Sequence, residues 1–145
     1  MSDFAASSSG DARRRVAFPG QGVLGYPMAG HLAKAGLDVT VYNRTFSKAY
    51  AWVAEHGGRV ARTPHEAANG AELVMACVDN DDDLRGVTLG AQGAFAGMTE
   101  GTTFVDHTSA SANVALELAE AASRQGLQFI DAPVSGGEAG AQNAR

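Results

Sequence analysis

Apolar residues in this chain fall into short continuous runs that alternate with longer stretches of helical spacing. Val16-Ala17-Phe18 is one such run and meets glycines at once, which predicts a buried strand. From Val23 to Ala35, Leu24, Met28, Leu32 and Ala35 recur at helical spacing, Pro27 sits near the first turn, and Gly36 ends the run. Val39 to Tyr42 is β-branched and aromatic, a second strand. Ser47 to His56 reads as helix and is stopped by Gly57-Gly58; a weak third strand follows at Arg59 to Ala61. A short helix is expected from Pro64 to Asn69 with Thr63 as its N-cap. Glu72 to Val78 is almost wholly apolar, as a strand buried on both faces requires, and Thr102 to Asp106 is another strand. Ala112 to Gln125 is helical, and Leu127 to Ile130 makes the last strand. Strands with continuous rather than alternating apolar character imply a parallel sheet covered on both faces, so the expected fold is α/β with a doubly wound, mostly parallel sheet.

Composition narrows the function classes. The 145 residues suffice for one domain of ordinary size. A net charge of −5 disfavours general nucleic-acid binding. No run approaches the roughly 18 apolar residues of a membrane span. Cys77 is the single cysteine, which excludes an internal disulfide. Residues 1–14 are expected to form a disordered tail ahead of a domain at 15–145. Ser7 to Ser9 and Arg13 to Arg15 suit a mitochondrial presequence, but Asp3 and Asp11 do not, and no apolar secretory segment follows, so the expected compartment is the cytoplasm.

Gly20-Gln21-Gly22-Val23-Leu24-Gly25 matches G-x-G-x-x-G between the first strand and the first helix, the placement that a dinucleotide site of the Rossmann type requires. In that reading Gly20 makes the tight turn, Gly22 lets a pyrophosphate approach the backbone, and Gly25 lets the helix pack on the sheet. Free N–H groups at the helix start favour the phosphates. The bland alternative is a plain βα turn. No Gly-Lys-Ser/Thr follows, so it is not a P-loop.

At the end of the second strand an NAD site wants a carboxylate for the ribose hydroxyls. Here stand Asn43, Arg44 and Thr45, with Asn43 18 residues beyond Gly25. Nothing in that triplet repels a 2′-phosphate. Arg44 can pair with it, Thr45 adds a hydroxyl, and Lys48 is one turn further on. The expected cofactor is therefore NADP(H) in preference to NAD(H). The missing carboxylate also counts against a methyltransferase.

Three ordered stretches resemble the β-hydroxyacid dehydrogenase family, which includes 3-hydroxyisobutyrate dehydrogenases and 2-hydroxy-3-oxopropionate reductases. They are the Phe18 to Ala29 opening, Phe104-Val105-Asp106-His107-Thr108-Ser109, and Asp131-Ala132-Pro133-Val134-Ser135-Gly136-Gly137. The Asn43-Arg44-Thr45 triplet is similar to the family's NADP-preferring branch. The resemblance implies that Gly20, Gln21, Gly22, Val23, Leu24 and Gly25 hold the pyrophosphate and that Asn43, Arg44 and Thr45 hold the ribose phosphate. It also implies that Val78 lines the cofactor cleft, that Ser109 lies near the nicotinamide, and that Ser135, Gly136 and Gly137 bind a small hydroxy-acid substrate. Two departures, Pro19 and Gln21, alter the loop and are expected to weaken cofactor binding.

In this family the catalytic lysine lies beyond the last matched stretch. Lys34 and Lys48 are the only lysines here and neither matches its position, so no catalytic residue is assigned. The resemblance therefore implies a Rossmann domain ending before its last strands and before a helical second domain. Apolar surface left by that domain would favour a homo-oligomer or another partner. The rival reading is a catalytically silent nucleotide-binding or assembly module.

Other constellations are weaker. Asp79, Asp81 and Asp83 have the start of calcium-loop spacing, but Leu84 and Gly90 stand where glycine and glutamate are needed, so the run reads as acidic residues at a helix start. His31, His56, His65 and His107 lack metal-ligand spacing, and Ser109 and Ser135 lack a hydrolase arrangement.

Overall fold

The computed structural model describes residues 14–21 and 25–133. Its six-stranded sheet comprises β1 (Arg15–Gln21), β2 (Asp38–Val41), β3 (Arg59–Val60), β4 (Leu73–Cys77), β5 (Thr103–Asp106) and β6 (Gln128–Asp131), ordered β3-β2-β1-β4-β5-β6. Every neighbouring pair is parallel. The helices are α1 (Gly25–Lys34), α2 (Phe46–His56), α3 (Pro64–Ala68), α4 (Asp81–Thr88), α5 (Ala94–Gly97) and α6 (Ala112–Arg124). The chain winds outward from β1 in one direction and from β4 in the other, so the strand order reverses between them. Open sheets of this kind bind ligands at that crevice, beyond the carboxyl ends of the strands.

Adjacent residues of β1 serve opposite faces. Phe18, Val39 and Val41 pack with Ala29, Ala49 and Trp52 under α1 and α2. Ala17, Val74, Ala76 and Phe104 pack with Leu84, Phe95, Val114 and Leu118 under α4, α5 and α6. This two-sided burial is why the strands carry apolar runs instead of alternation. The Trp52 indole N–H donates to the Tyr26 carbonyl at 3.2 Å, tying α2 to the first turn of α1.

Local signals explain the element ends. Gly36, Gly57 and Gly126 have φ of 97°, 80° and 75°, a region open to glycine, and each follows a helix. Thr63 caps α3 by accepting from the Glu66 N–H at 3.0 Å, as its sequence predicts. The sequence indicates only the acidic start of α4 and gives no sign of α5, whose four residues Ala94–Gly97 are too few for a helical period.

Pro19 leaves a visible mark. Val16 and Ala17 pair with Leu73 and Val74, whereas Gly20 and Gln21 pair with Ala76 and Cys77, so β1 takes three steps where β4 takes two. The imino nitrogen cannot donate to the ladder, and a bulge absorbs it. Beyond the bulge α1 comes very close to the sheet. A Cβ on Gly25 would stand 2.9 Å from the Cys77 carbonyl oxygen and 3.1 Å from that of Gly20. Both obstacles are backbone and cannot swing aside. Gly25→Ala is expected to destabilise the chain by about 1–3 kcal/mol through overpacking, read as a lower urea midpoint at unchanged slope. An unaltered midpoint would show that α1 does not need this approach.

Candidate functional site

The carboxyl ends of β1, β2 and β4 surround a cavity of about 470 Å³. Pro19 and Gly20 form its floor, Tyr42 to Thr45 and Lys48 one wall, and Val78, Asp79 and the first turns of α4 the other, with Tyr26 of α1 alongside. It stands at the reversal of strand order, where the topology puts a ligand crevice. The structure places Gly20, Asn43, Arg44, Thr45, Lys48 and Val78, all named from the sequence, around one cavity.

Gly20 needs a correction. It lies inside β1 rather than in a tight turn, and it is not among the positive-φ glycines. A Cβ there would stand 2.5 Å from Val78 Cγ1. Its bareness keeps β1 and the β4–α4 segment close while leaving backbone at the cavity floor. Gly25 has the expected close packing of helix on sheet. Gln21 ends β1 in register with Cys77. Gly22, Val23 and Leu24 lie outside the described residues, as do Ser135, Gly136 and Gly137.

The turn after β2 is shaped by its own side chains. Asn43 is buried, and its Oδ1 accepts from the Thr45 N–H at 3.0 Å. Thr45 is the N-cap of α2 but makes no side-chain cap bond. It lines the cavity at the start of that helix, where the dipole favours negative charge. Arg44 stands out from this turn, its side chain 80% exposed, and donates to Asp83 Oδ1 across the cavity at 3.1 Å.

The opposite wall is acidic. Asn80 caps α4 by accepting from the Asp83 N–H at 2.8 Å, so the carboxylates of Asp81, Asp82 and Asp83 sit at a helix start. Asp81 accepts from the Ser111 hydroxyl at 2.6 Å and its N–H at 2.9 Å, and these bonds hold its carboxyl below the usual range. Asp82 pairs with Arg85 at 3.3 Å, and Arg85 in turn with Glu117 at 3.0 Å. The sequence anticipates this helix start but not its place on the cavity wall, because nothing local shows which strand end α4 will face. Tyr26, Tyr42, Asp82, Asp83, Gly86 and Val87 are missed for the same reason.

A buried polar chain supports the cavity from the β5 side. The Val78 N–H donates to Thr108 Oγ1 at 3.1 Å, and the Thr108 N–H to Asp106 Oδ1 at 2.8 Å. Asp106 is fully buried, its Oδ2 has no partner among the described residues, and burial pushes its carboxyl above the usual range. His107 Nδ1 lies 2.8 Å from the Ala132 carbonyl, so it carries the proton and fixes the start of the Asp131-Ala132-Pro133 segment. Burial, reinforced by Asp106 and Asp79, pushes the Cys77 thiol up to about 11, consistent with a packed strand residue rather than a nucleophile. Ser109 follows this segment, is exposed, and does not line the cavity. No described helix is long and apolar enough to cross a membrane.

Known proteins agree with this architecture. The family described as the NAD binding domain of 6-phosphogluconate dehydrogenase matches residues 15–145, and the chain belongs to that family. An uncharacterized oxidoreductase of Shewanella frigidimarina is 57% identical over 129 residues, covering 89% of this chain and 44% of the relative. A protein of Arabidopsis thaliana named as a probable 3-hydroxyisobutyrate dehydrogenase-like 1, mitochondrial, is 42% identical over 132 residues, covering 90% and 39%. The solved Mycobacterium tuberculosis 3-hydroxyisobutyrate dehydrogenase with L-serine superposes with a TM-score of 0.81 at 31% identity, covering 90% of this chain and 43% of that one. The chain thus spans less than half the length of these relatives.

Asp106 gives a pH signature. A carboxyl raised by burial favours folding in its protonated form, so its contribution is best below the unfolded value near 4 and declines as pH rises toward the folded one. Asp106→Asn keeps an oxygen for the Thr108 N–H and removes the titration. The parent is expected to lose stability relative to this variant as pH rises above the unfolded carboxylate value of about 4, measured by urea unfolding. A difference independent of pH would contradict the raised carboxyl.

Proposed function

We propose that the chain is the cofactor-binding part of an NADP(H)-linked oxidoreductase of the 3-hydroxyisobutyrate dehydrogenase type, acting on a small 3-hydroxy acid or its semialdehyde. One observation carries the reading: the cavity at the β1–β4 reversal has bare glycine backbone at its floor and the Asn43-Arg44-Thr45 turn on its wall. These residues fit a dinucleotide. Bare backbone at Gly20 admits close approach of a diphosphate, and a guanidinium with a cap-free helix start suits a ribose phosphate.

In this reading residues 15–145 form the binding domain, with Gly20 to Gly25 along the pyrophosphate and Asn43, Arg44 and Thr45 at the 2′-phosphate. Val78 borders the cleft and is held by Thr108. Ser109 stands toward the nicotinamide end, and Ser135, Gly136 and Gly137 contact the substrate. The bound nicotinamide supplies the hydride. His107 keeps the substrate segment in place through the Ala132 carbonyl. L-serine, found with the Mycobacterium tuberculosis relative, is itself a small 3-hydroxy acid and supports the substrate class.

The second reading is a silent nucleotide-binding or assembly module. Lys34 is exposed at the end of α1, and Lys48 lines the Arg44 side of the cavity, so neither stands by the β5 and β6 ends. Reduction of tartronate semialdehyde by the chain with NADPH would support the enzyme reading directly, and a folded chain that binds neither NADPH nor NADH would overturn both.

Cofactor choice is tested by calorimetric titration with NADPH and NADH. Arg44→Ala is expected to weaken NADPH binding by about tenfold or more, the scale of a charge-assisted hydrogen bond, and NADH binding much less. An unchanged preference would overturn the phosphate role of Arg44.

A further inference from the structure

The guanidinium that the preceding reading gives to the ribose phosphate is already engaged. Arg44 Nη1 lies 3.1 Å from Asp83 Oδ1, spanning the cavity from the β2–α2 turn to the α4 wall. The two partners are unequal. The Arg44 side chain is 80% exposed, whereas that of Asp83 is only 19% exposed. Asp83 is also anchored: its N–H donates to the Asn80 cap at 2.8 Å, and its carboxylate lies in the first turn of α4, where the helix dipole favours a negative charge. Neighbouring carboxylates have other partners, Asp81 with Ser111 and Asp82 with Arg85. Asp83 alone of the three pairs with the β2–α2 turn.

We propose that Asp83 is a specificity-determining residue that restrains Arg44 across the cavity and sets how strongly the site prefers a 2′-phosphorylated nucleotide. The inference rests on the dinucleotide reading of the same cavity. A 2′-phosphate must draw Arg44 away from Asp83 or share it. A 2′-hydroxyl makes no such demand on Arg44. Asp83 therefore lowers the preference that Arg44 creates. A site with Arg44 and without Asp83 discriminates more sharply than this one. The pair is largely open to water, so its effect is modest and screened by salt.

The test is a double-mutant cycle on the full 145-residue chain, with Asp83→Asn, Arg44→Ala and the double variant titrated with NADPH and NADH by calorimetry at low and high salt. Asparagine keeps the shape of the helix start, and circular dichroism checks that each variant is folded. Asp83→Asn is expected to tighten NADPH about three- to tenfold relative to NADH at low salt, with a smaller gain at high salt. In the Arg44→Ala background most of that gain should vanish, because the restrained group is gone. An Asp83→Asn ratio equal to the parent's overturns the proposal while leaving the dinucleotide reading intact. A gain that persists in full without Arg44 also overturns it, since it would show simple repulsion rather than restraint. If the folded parent binds neither nucleotide, the underlying reading fails and the proposal with it. Asp83→Ser serves as the second variant should Asp83→Asn fail to fold, with the same expectation.

Discussion

The closeness of backbone to backbone where β1 gives way to α1 governs the rest of the molecule. Gly25 sits under the carbonyl oxygens of Cys77 and Gly20 with no room for a Cβ, and Gly20 stands against Val78 with less. A Cβ at Gly25 would push α1 off the sheet backbone, and one at Gly20 would press on the Val78 side chain at the cavity edge. The same closeness decides packing and function together. It allows Phe18 and Ala29 to share a core with Trp52, and it leaves peptide groups facing the crevice at the reversal of strand order. Pro19 fits within this economy by a bulge, which removes the need for its missing donor and lets Gly20 resume register with Ala76.

Electrostatics then distinguishes the two walls. A chain of net charge −5 lines this crevice with charges of both signs, segregated by wall. Arg44 and Lys48 stand on one side with the start of α2, and the acidic start of α4 stands on the other. Each carboxylate in the first turn of α4 has a hydrogen-bonding or ionic partner, which limits repulsion of a phosphate. Beneath them, the chain of bonds from Val78 through Thr108 to Asp106 ties the cavity edge to β5, at the cost of a buried carboxyl with one oxygen unpartnered among the described residues.

Much of this was legible from residue order, and the parts that were not share a cause. Apolar runs at Val16, Val39 and Leu73 reveal strands because both sheet faces are covered, and Thr63 and Gly57 mark helix ends through local geometry. The Asn43-Arg44-Thr45 turn was readable because position after the second strand fixes its place in a doubly wound sheet. Gly20 was misplaced because a glycine that permits a tight turn and one that permits a close strand contact look alike in sequence. The Arg44–Asp83 pair joins residues 39 apart, and only the stacking of α4 beside β2 brings them together. Ser109 matches the family segment in sequence, yet it is exposed and lies off the cavity walls. Its role depends on surfaces that local pattern does not encode.

The most direct test is backbone amide NMR of the ¹⁵N-labelled chain during titration with NADPH. If a dinucleotide lies along the β1–α1 junction, the largest shifts at saturation fall on Gly20 to Gly25, on Asn43 to Thr45 and on Val78, with β3 and the far end of α6 little changed. Saturable binding that leaves the Gly20 and Gly25 amides unmoved, or the absence of any binding by a folded sample, would contradict the account.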